Sequence, residues 1–221
     1  MSNQCIFKHP FTSKIVRLEV YFKQRISEFE KLGREGFTTF NFSPFLNLKI
    51  DANLMSELAF CISTANSSAI SGLKFQKSIE RKNPEKLSIN ELEYLLKNSG
   101  VRFYRKKAVF IKEALDNFDF SIDFSECNEK SREWIAKNIK GLGFKEASHF
   151  LRNVGNKDFA IIDRHIMKYL VENGYMDNKS ITPCTYLRCE EILRKIASTK
   201  KISLAELDLE IWYQKTGKVL K

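Results

Sequence analysis

Between residues 14 and 34 the apolar side chains Ile15, Leu18, Phe22, Ile26, Phe29 and Leu32 recur three or four positions apart, the spacing of one helical face. The pattern breaks over residues 36–51, where Phe, Thr, Asn and a single Pro replace it, and this stretch reads as an extended loop or short strands. From Leu54 helical spacing returns as a buried helix, a polar break near Asn66–Ser68, and a second helix. Ser88 stands three residues before Glu91, the spacing of a capping box, and Gly100 supplies the stop. Residues 103–118 predict an amphipathic basic helix. Residues 128–138 and 144–154 predict two short helices joined through Lys140-Gly141-Leu142-Gly143. Phe159–Ile162 is a short buried extended piece, and Asp163 stands where an N-cap belongs, at the head of another helix. Residues 183–198 and 204–214 predict two more. The pattern is that of an all-α protein with about ten helices, and the scarcity of Gly (9) and Pro (4) agrees with it.

A chain of 221 residues suits one compact unit or two small subdomains sharing a boundary. Lys and Arg outnumber Asp and Glu by 37 to 27, which favours a polyanion partner, nucleic acid first, although simple solubility accounts for it equally well. Cys5, Cys61, Cys127, Cys184 and Cys189 are odd in number and irregular in spacing. They make no secreted disulfide framework, no zinc site and no four-cysteine iron-sulfur array, and read as reduced thiols. The N-terminal stretch lacks the apolar core of a signal peptide, and no apolar run approaches the roughly 20 residues of a membrane helix. A cytoplasmic or nucleoid location is expected.

The string Ile139-Lys140-Gly141-Leu142-Gly143-Phe144-Lys145-Glu146-Ala147 carries the most chemistry. Two glycines one residue apart permit a turn closed to other residues. The turn leads directly into a helix whose first N–H groups lack partners and carry partial positive charge, a place to hold a phosphate. Ile139, Leu142, Ala147 and Phe150 space the apolar contacts between the two helices. Lys145 follows at the start of the second helix. A neutral lysine amine is a good nucleophile, and burial or positive potential favours the neutral form. Asp163 lies 18 residues further on, behind a buried Ile-Ile lead-in. Taken singly, Lys145 reads as a solvated or phosphate-binding lysine and Asp163 as an N-cap.

Together, Gly141, Gly143, Lys145, Ile162, Asp163 and His165 resemble the core of the helix-hairpin-helix DNA glycosylase superfamily. The resemblance implies two helical subdomains flanking a DNA-binding cleft, one from residues 1–53 and 160–221, the other from 54–159. It implies that Lys145 attacks the sugar C1′, expels a damaged base through a Schiff base and cuts the strand by β-elimination. Asp163 would orient the lysine and stabilise positive charge on the sugar. Lys140, Gly141 and Gly143 would hold the DNA backbone. Asn66, in the break between two helices, would enter the gap left by the extruded base or contact the opposite strand; a plain polar turn is the other reading.

The short chain, the missing iron-sulfur cysteines and the ending EIWYQKTGKVLK look like type 2 8-oxoguanine DNA glycosylase/AP lyase, of archaea and some bacteria. In that subfamily an aromatic pair sandwiches the oxidised guanine and the last lysine reaches it. The matching positions are Phe103, Trp212 and Lys221, which otherwise read as two core aromatics and a frayed end. The implied partner is double-stranded DNA containing 8-oxoguanine, bound by a monomer without metal or cofactor, with the hairpin also a place for a monovalent cation. Two alternatives stand beside this: a glycosylase for another oxidised base, in a group that usually carries an iron-sulfur cluster, and a helix-hairpin-helix module that only binds DNA.

Overall fold

The computed structural model describes residues 10–177 and 180–221. Cys5, the rest of the segment before Pro10 and the side chain of Ile15 lie outside the described residues. The chain opens with a long helix, α1 (Pro10–Glu35), whose apolar stripe buries Phe22, Ile26, Phe29 and Leu32. The break after it is a two-stranded antiparallel hairpin, β1 (Phe37–Asn41) and β2 (Lys49–Asn53), with Phe37 opposite Asn53 and Asn41 opposite Lys49. Period-two alternation turns Phe40, Ile50 and Ala52 inward.

Nine further α-helices and two short 3-10 turns account for the rest of the regular structure among the described residues. Helix α2 (Leu54–Thr64) starts at an Asn53–Ser56 capping box and is buried from Ser56 to Thr64, so it is central. Helix α3 (Ala69–Ile79) is capped by Ser68, and α4 (Ile89–Asn98) by the expected Ser88–Glu91 box. Helices α5 (Tyr104–Asn117), α6 (Glu129–Asn138) and α7 (Phe144–Asn153) follow, then α8 (Arg164–Glu172), α9 (Pro183–Lys200) and α10 (Leu204–Thr216). None of the described helices is long and apolar enough to cross a membrane. The four described cysteines are free.

Two cores share the apolar side chains. The larger gathers α1, the hairpin and α2–α7, and its many phenylalanines interlock edge to face, as Phe118 and Phe124 do on Phe150 at 5.5 and 5.6 Å. The smaller holds Ile162, Ile166, Leu170, Tyr186, Leu193, Leu207 and Ile211. Helix α10 is the wall between them, giving Ala205 and Leu209 to the first and Leu204, Leu207 and Ile211 to the second. The cores do not follow the division expected from sequence. Residues 18–53 pack into the core of 54–159, which also takes Ala205, Leu209, Val219 and Leu220 from the last segment. The reason is local: α1 crosses the end of α7 so closely that a Cβ on Gly33 would lie 1.9 Å from the Val154 carbonyl oxygen. Arg132 ties α6 to the smaller core, pairing with Glu190 of α9 at 2.7 Å beneath the rings of Phe144, Phe159 and Tyr186.

Candidate active site

Helix α6 ends at Asn138, and the chain turns through Lys140–Gly143 into α7. Gly141 has φ +89°, and a Cβ there would meet Phe110 at 3.0 Å and Ile62 at 3.1 Å, so conformation and space both demand glycine. Ile139 and Leu142 anchor the turn in the larger core. Gly143 is the N-cap of α7 and gives it no side-chain cap, which leaves the N–H groups of the first turn for another acceptor. Lys140 is largely exposed and pairs with Glu113 of α5 at 3.0 Å. An exposed pair of this kind contributes about 0–1 kcal/mol, so the ammonium is easily given up to a phosphate.

Lys145, His149 and Arg152 share one face of α7 by their spacing of four and three. The Lys145 side chain is 33% exposed, with Nζ 3.0 Å from Glu146 Oε1. His149 is buried, edge-on to Phe60 at 5.4 Å, and donates to the Lys221 backbone, while its Nε2 has no partner among the described residues. Burial first, then the positive charges of Arg152, Lys145 and Lys221, push its ring well below the usual histidine range, so His149 is neutral.

Arg152 pairs with Asp208 of α10, and a second oxygen of Asp208 accepts from the Ile161 N–H at 3.3 Å. Tyr186 donates its hydroxyl to the Ala160 carbonyl at 2.9 Å and accepts from the Ile162 N–H at 3.2 Å. The lead-in to Asp163, which pairs with no strand, is therefore held by two buried side chains. Asp163 caps α8 as expected, its Oδ1 accepting from the His165 and Ile166 N–H groups at 2.8 and 3.0 Å. Burial raises the Asp208 carboxyl to about 6, Arg152 opposes the rise and the negative charge of Asp163 adds to it. Arg152, on the same face as Lys145, thus pairs with a carboxylate that also feels the negative charge of Asp163.

Of the remaining predicted residues, Phe103 is not core: it is 58% exposed, in the left-handed region at φ +58°, with the Arg102 guanidinium 5.4 Å from its ring centre. Asn66 is exposed at φ +52° in the turn between α2 and α3. Left-handed backbone costs a non-glycine residue about 1–3 kcal/mol and persists only where the surroundings enforce it. Trp212 is partly buried on the larger core and lies edge-on to His165 at 6.3 Å, beside the Asp163 cap.

Lys221 requires a correction. Its ammonium is neither frayed nor free to reach a base, but fully buried. It pairs with Glu57, donates to Gln76 Oε1 at 2.6 Å, and stands over Phe40 and Phe60 at 3.9 and 4.3 Å. Glu57 also accepts from Asn153 at 2.7 Å and Gln76 at 2.8 Å. Lys221→Met would leave that carboxylate buried without its cation and is expected to cost about 3 kcal/mol of stability. Adding Glu57→Gln should return part of the lost thermal midpoint; losses that simply add would show the pair is not coupled.

Sequence reasoning missed Glu57, Arg152 and Asp208, and it missed Lys107, whose ammonium is buried against α2. Glu57 did leave a trace, as an acid inside an apolar helical run, whereas Asp208 is one of three acids spaced by two in its helix.

A family model for 8-oxoguanine DNA glycosylase matches residues 22–202. The 8-oxoguanine DNA glycosylase/AP lyase of Aquifex aeolicus is 48% identical over 216 residues, 94% of this chain and 96% of that protein. The protein of the same name from Methanocaldococcus jannaschii is 48% identical over 184 residues, covering 81% and 88%. The crystal structure of the M. jannaschii 8-oxoguanine glycosylase/lyase in complex with a 15mer DNA containing 8-oxoguanine matches with a TM-score of 0.77 at 40% identity, over 96% of this chain and 100% of that one. The 8-oxoguanine DNA glycosylase of Thermotoga maritima matches with a TM-score of 0.76 at 35% identity, over 95% and 97%.

Proposed function

The chain belongs to the 8-oxoguanine DNA glycosylase family, and from that premise we propose that it excises 8-oxoguanine from double-stranded DNA and then cuts the strand at the resulting sugar. The observation that carries this reading is the placement of Lys145. It is a partly exposed amine one residue into an uncapped helix that follows the Gly141–Gly143 turn, with Asp163 set at the head of α8. In this reading Lys145 Nζ attacks C1′ of the extruded nucleotide, the glycosidic bond breaks, and the base leaves with a proton. The sugar opens to an imine on the lysine, and loss of a C2′ proton expels the 3′ phosphate. Asp163 stabilises the cationic sugar electrostatically and takes up the lysine proton.

Backbone N–H groups at the head of α7, with Lys140, hold the phosphates that flank the lesion. Asn66 fills the vacated space, and the exposed ring of Phe103 stacks on the flipped base opposite Trp212, at about 1–3 kcal/mol per stacked face. Lys221 acts through its fixed backbone beside His149. Both chemical groups belong to the chain, so the reaction needs no cofactor. The enzyme works as a monomer on DNA in the cytoplasm or nucleoid.

A panel of duplexes with single lesions tests the substrate. Release of 8-oxoguanine should exceed release of oxidised pyrimidines by about tenfold or more, as expected for a site that sorts bases by stacking and edge contacts. A preference for a pyrimidine lesion would overturn the assignment.

A further inference from the structure

Two residues that the proposed function sends into the DNA, Asn66 and Phe103, belong to different elements 37 positions apart, yet both hang from one hydroxyl. The Ser67 Oγ accepts from the Arg102 N–H at 2.9 Å and from the Lys107 ammonium at 3.0 Å. Those two donors use both of its lone pairs. Lys107 also donates to the Ser63 carbonyl at 2.8 Å, one of the carbonyls left open at the end of α2. From the other side, the Lys107 N–H bonds the Phe103 carbonyl at 3.1 Å as the first turn of α5 closes. One lysine thus grips both ends of the Asn66 turn and the backbone of Phe103.

The arrangement is costly. Lys107 is buried and its two acceptors are neutral oxygens, so no carboxylate contact offsets the loss of water. Burial lowers its ammonium to about 8; Glu146 opposes this, and Lys145 and Arg102 add to it. A leucine or methionine at this place would pack at less cost. The left-handed backbone at both Asn66 and Phe103 likewise persists only where neighbours enforce it, and the two sites share the same enforcers.

We propose that Lys107 and the Ser67 hydroxyl are positioning groups that lock the Asn66 turn to Phe103, so that filling the gap in the duplex and stacking the extruded base occur as one event. The claim rests on the reading that Asn66 and Phe103 contact DNA, and goes beyond it by naming what couples them. Flipping a base costs unstacking energy, a cost that stacking the extruded base and filling the gap behind it both offset. A rigid link lets the ordering of one residue prepare the other.

A double-mutant cycle on single-turnover release of 8-oxoguanine tests this. In the wild-type background Asn66→Ala and Phe103→Ala should each slow release about tenfold or more, and the double variant should be no more than about threefold slower than the worse single one. In a Ser67→Ala or Lys107→Met background the two losses should multiply. Ser67→Thr, which keeps the hydroxyl, should behave as wild type. Should Lys107→Met fail to fold, Ser67→Ala carries the comparison alone. Multiplying losses in the wild-type background, or coupling that persists without the Ser67 hydroxyl, would overturn the inference and leave the DNA contacts standing. Silent single variants would remove the DNA contacts themselves, and the inference with them.

Discussion

Lys145→Gln is expected to abolish base release and strand cutting together, with a loss of about 10⁶-fold, the size seen when a covalent nucleophile is removed. The amide is close in length and cannot form an imine. Borohydride should therefore trap the wild-type protein on 8-oxoguanine duplex and trap nothing with the variant. Lesion binding should survive, because the groups assigned to it lie elsewhere: backbone N–H groups at the head of α7, Phe103 at the head of α5 and Trp212 on α10. Among the described residues the side chain makes one ion pair, to its neighbour Glu146, and it is one-third exposed, so its loss should not disturb the fold. Retained strand cutting would move the nucleophile to another amine. Retained base release without cutting would confine Lys145 to the lyase step. Absence of a wild-type adduct would leave only DNA binding.

What could be read in the sequence was whatever depends on neighbours in the chain. The Ser88–Glu91 box, the Asp163 cap and the Gly141 turn are settled within a few residues, and each appears where the pattern placed it. The place of Lys145 in the first turn of α7 was legible for the same reason. What was not legible depends on distant partners. Lys221 looks like any terminal lysine until the fold brings it to Glu57, 164 positions away. Lys107 is one charge among several in the string YRKKA, and only the crossing of α5 over α2 buries it. Phe103 begins an amphipathic helix, where an apolar residue reads as core. Its exposure follows from a left-handed backbone that periodicity cannot register. The grouping of residues 18–53 with the larger core follows from a backbone contact at Gly33, and nothing in the hydrophobic pattern reports it.

Asp163 is the residue at which structure and chemistry are hardest to separate, because capping α8 accounts for its position without any reaction. Asp163→Asn separates them. Asparagine caps a helix about as well as aspartate, so its amide oxygen can still accept from the His165 and Ile166 N–H groups, and stability should change by less than about 1 kcal/mol. Asp163→Ala loses the cap as well and should cost about 1 kcal/mol. If the carboxylate served only the helix, the Asn variant would stay active and the Ala variant would be merely less stable. If its charge supports the cationic sugar and receives the lysine proton, both should lose about 10⁴-fold in base release, the scale set by neutralising an aspartate that serves a catalytic base. Thermal melts set beside single-turnover rates decide between these outcomes, since only the catalytic role predicts an Asn variant that is stable and inactive. The same change removes the negative charge that adds to the rise of the Asp208 carboxyl. A lower titration of Asp208 in the Asn variant would show directly that the two carboxylates share one field.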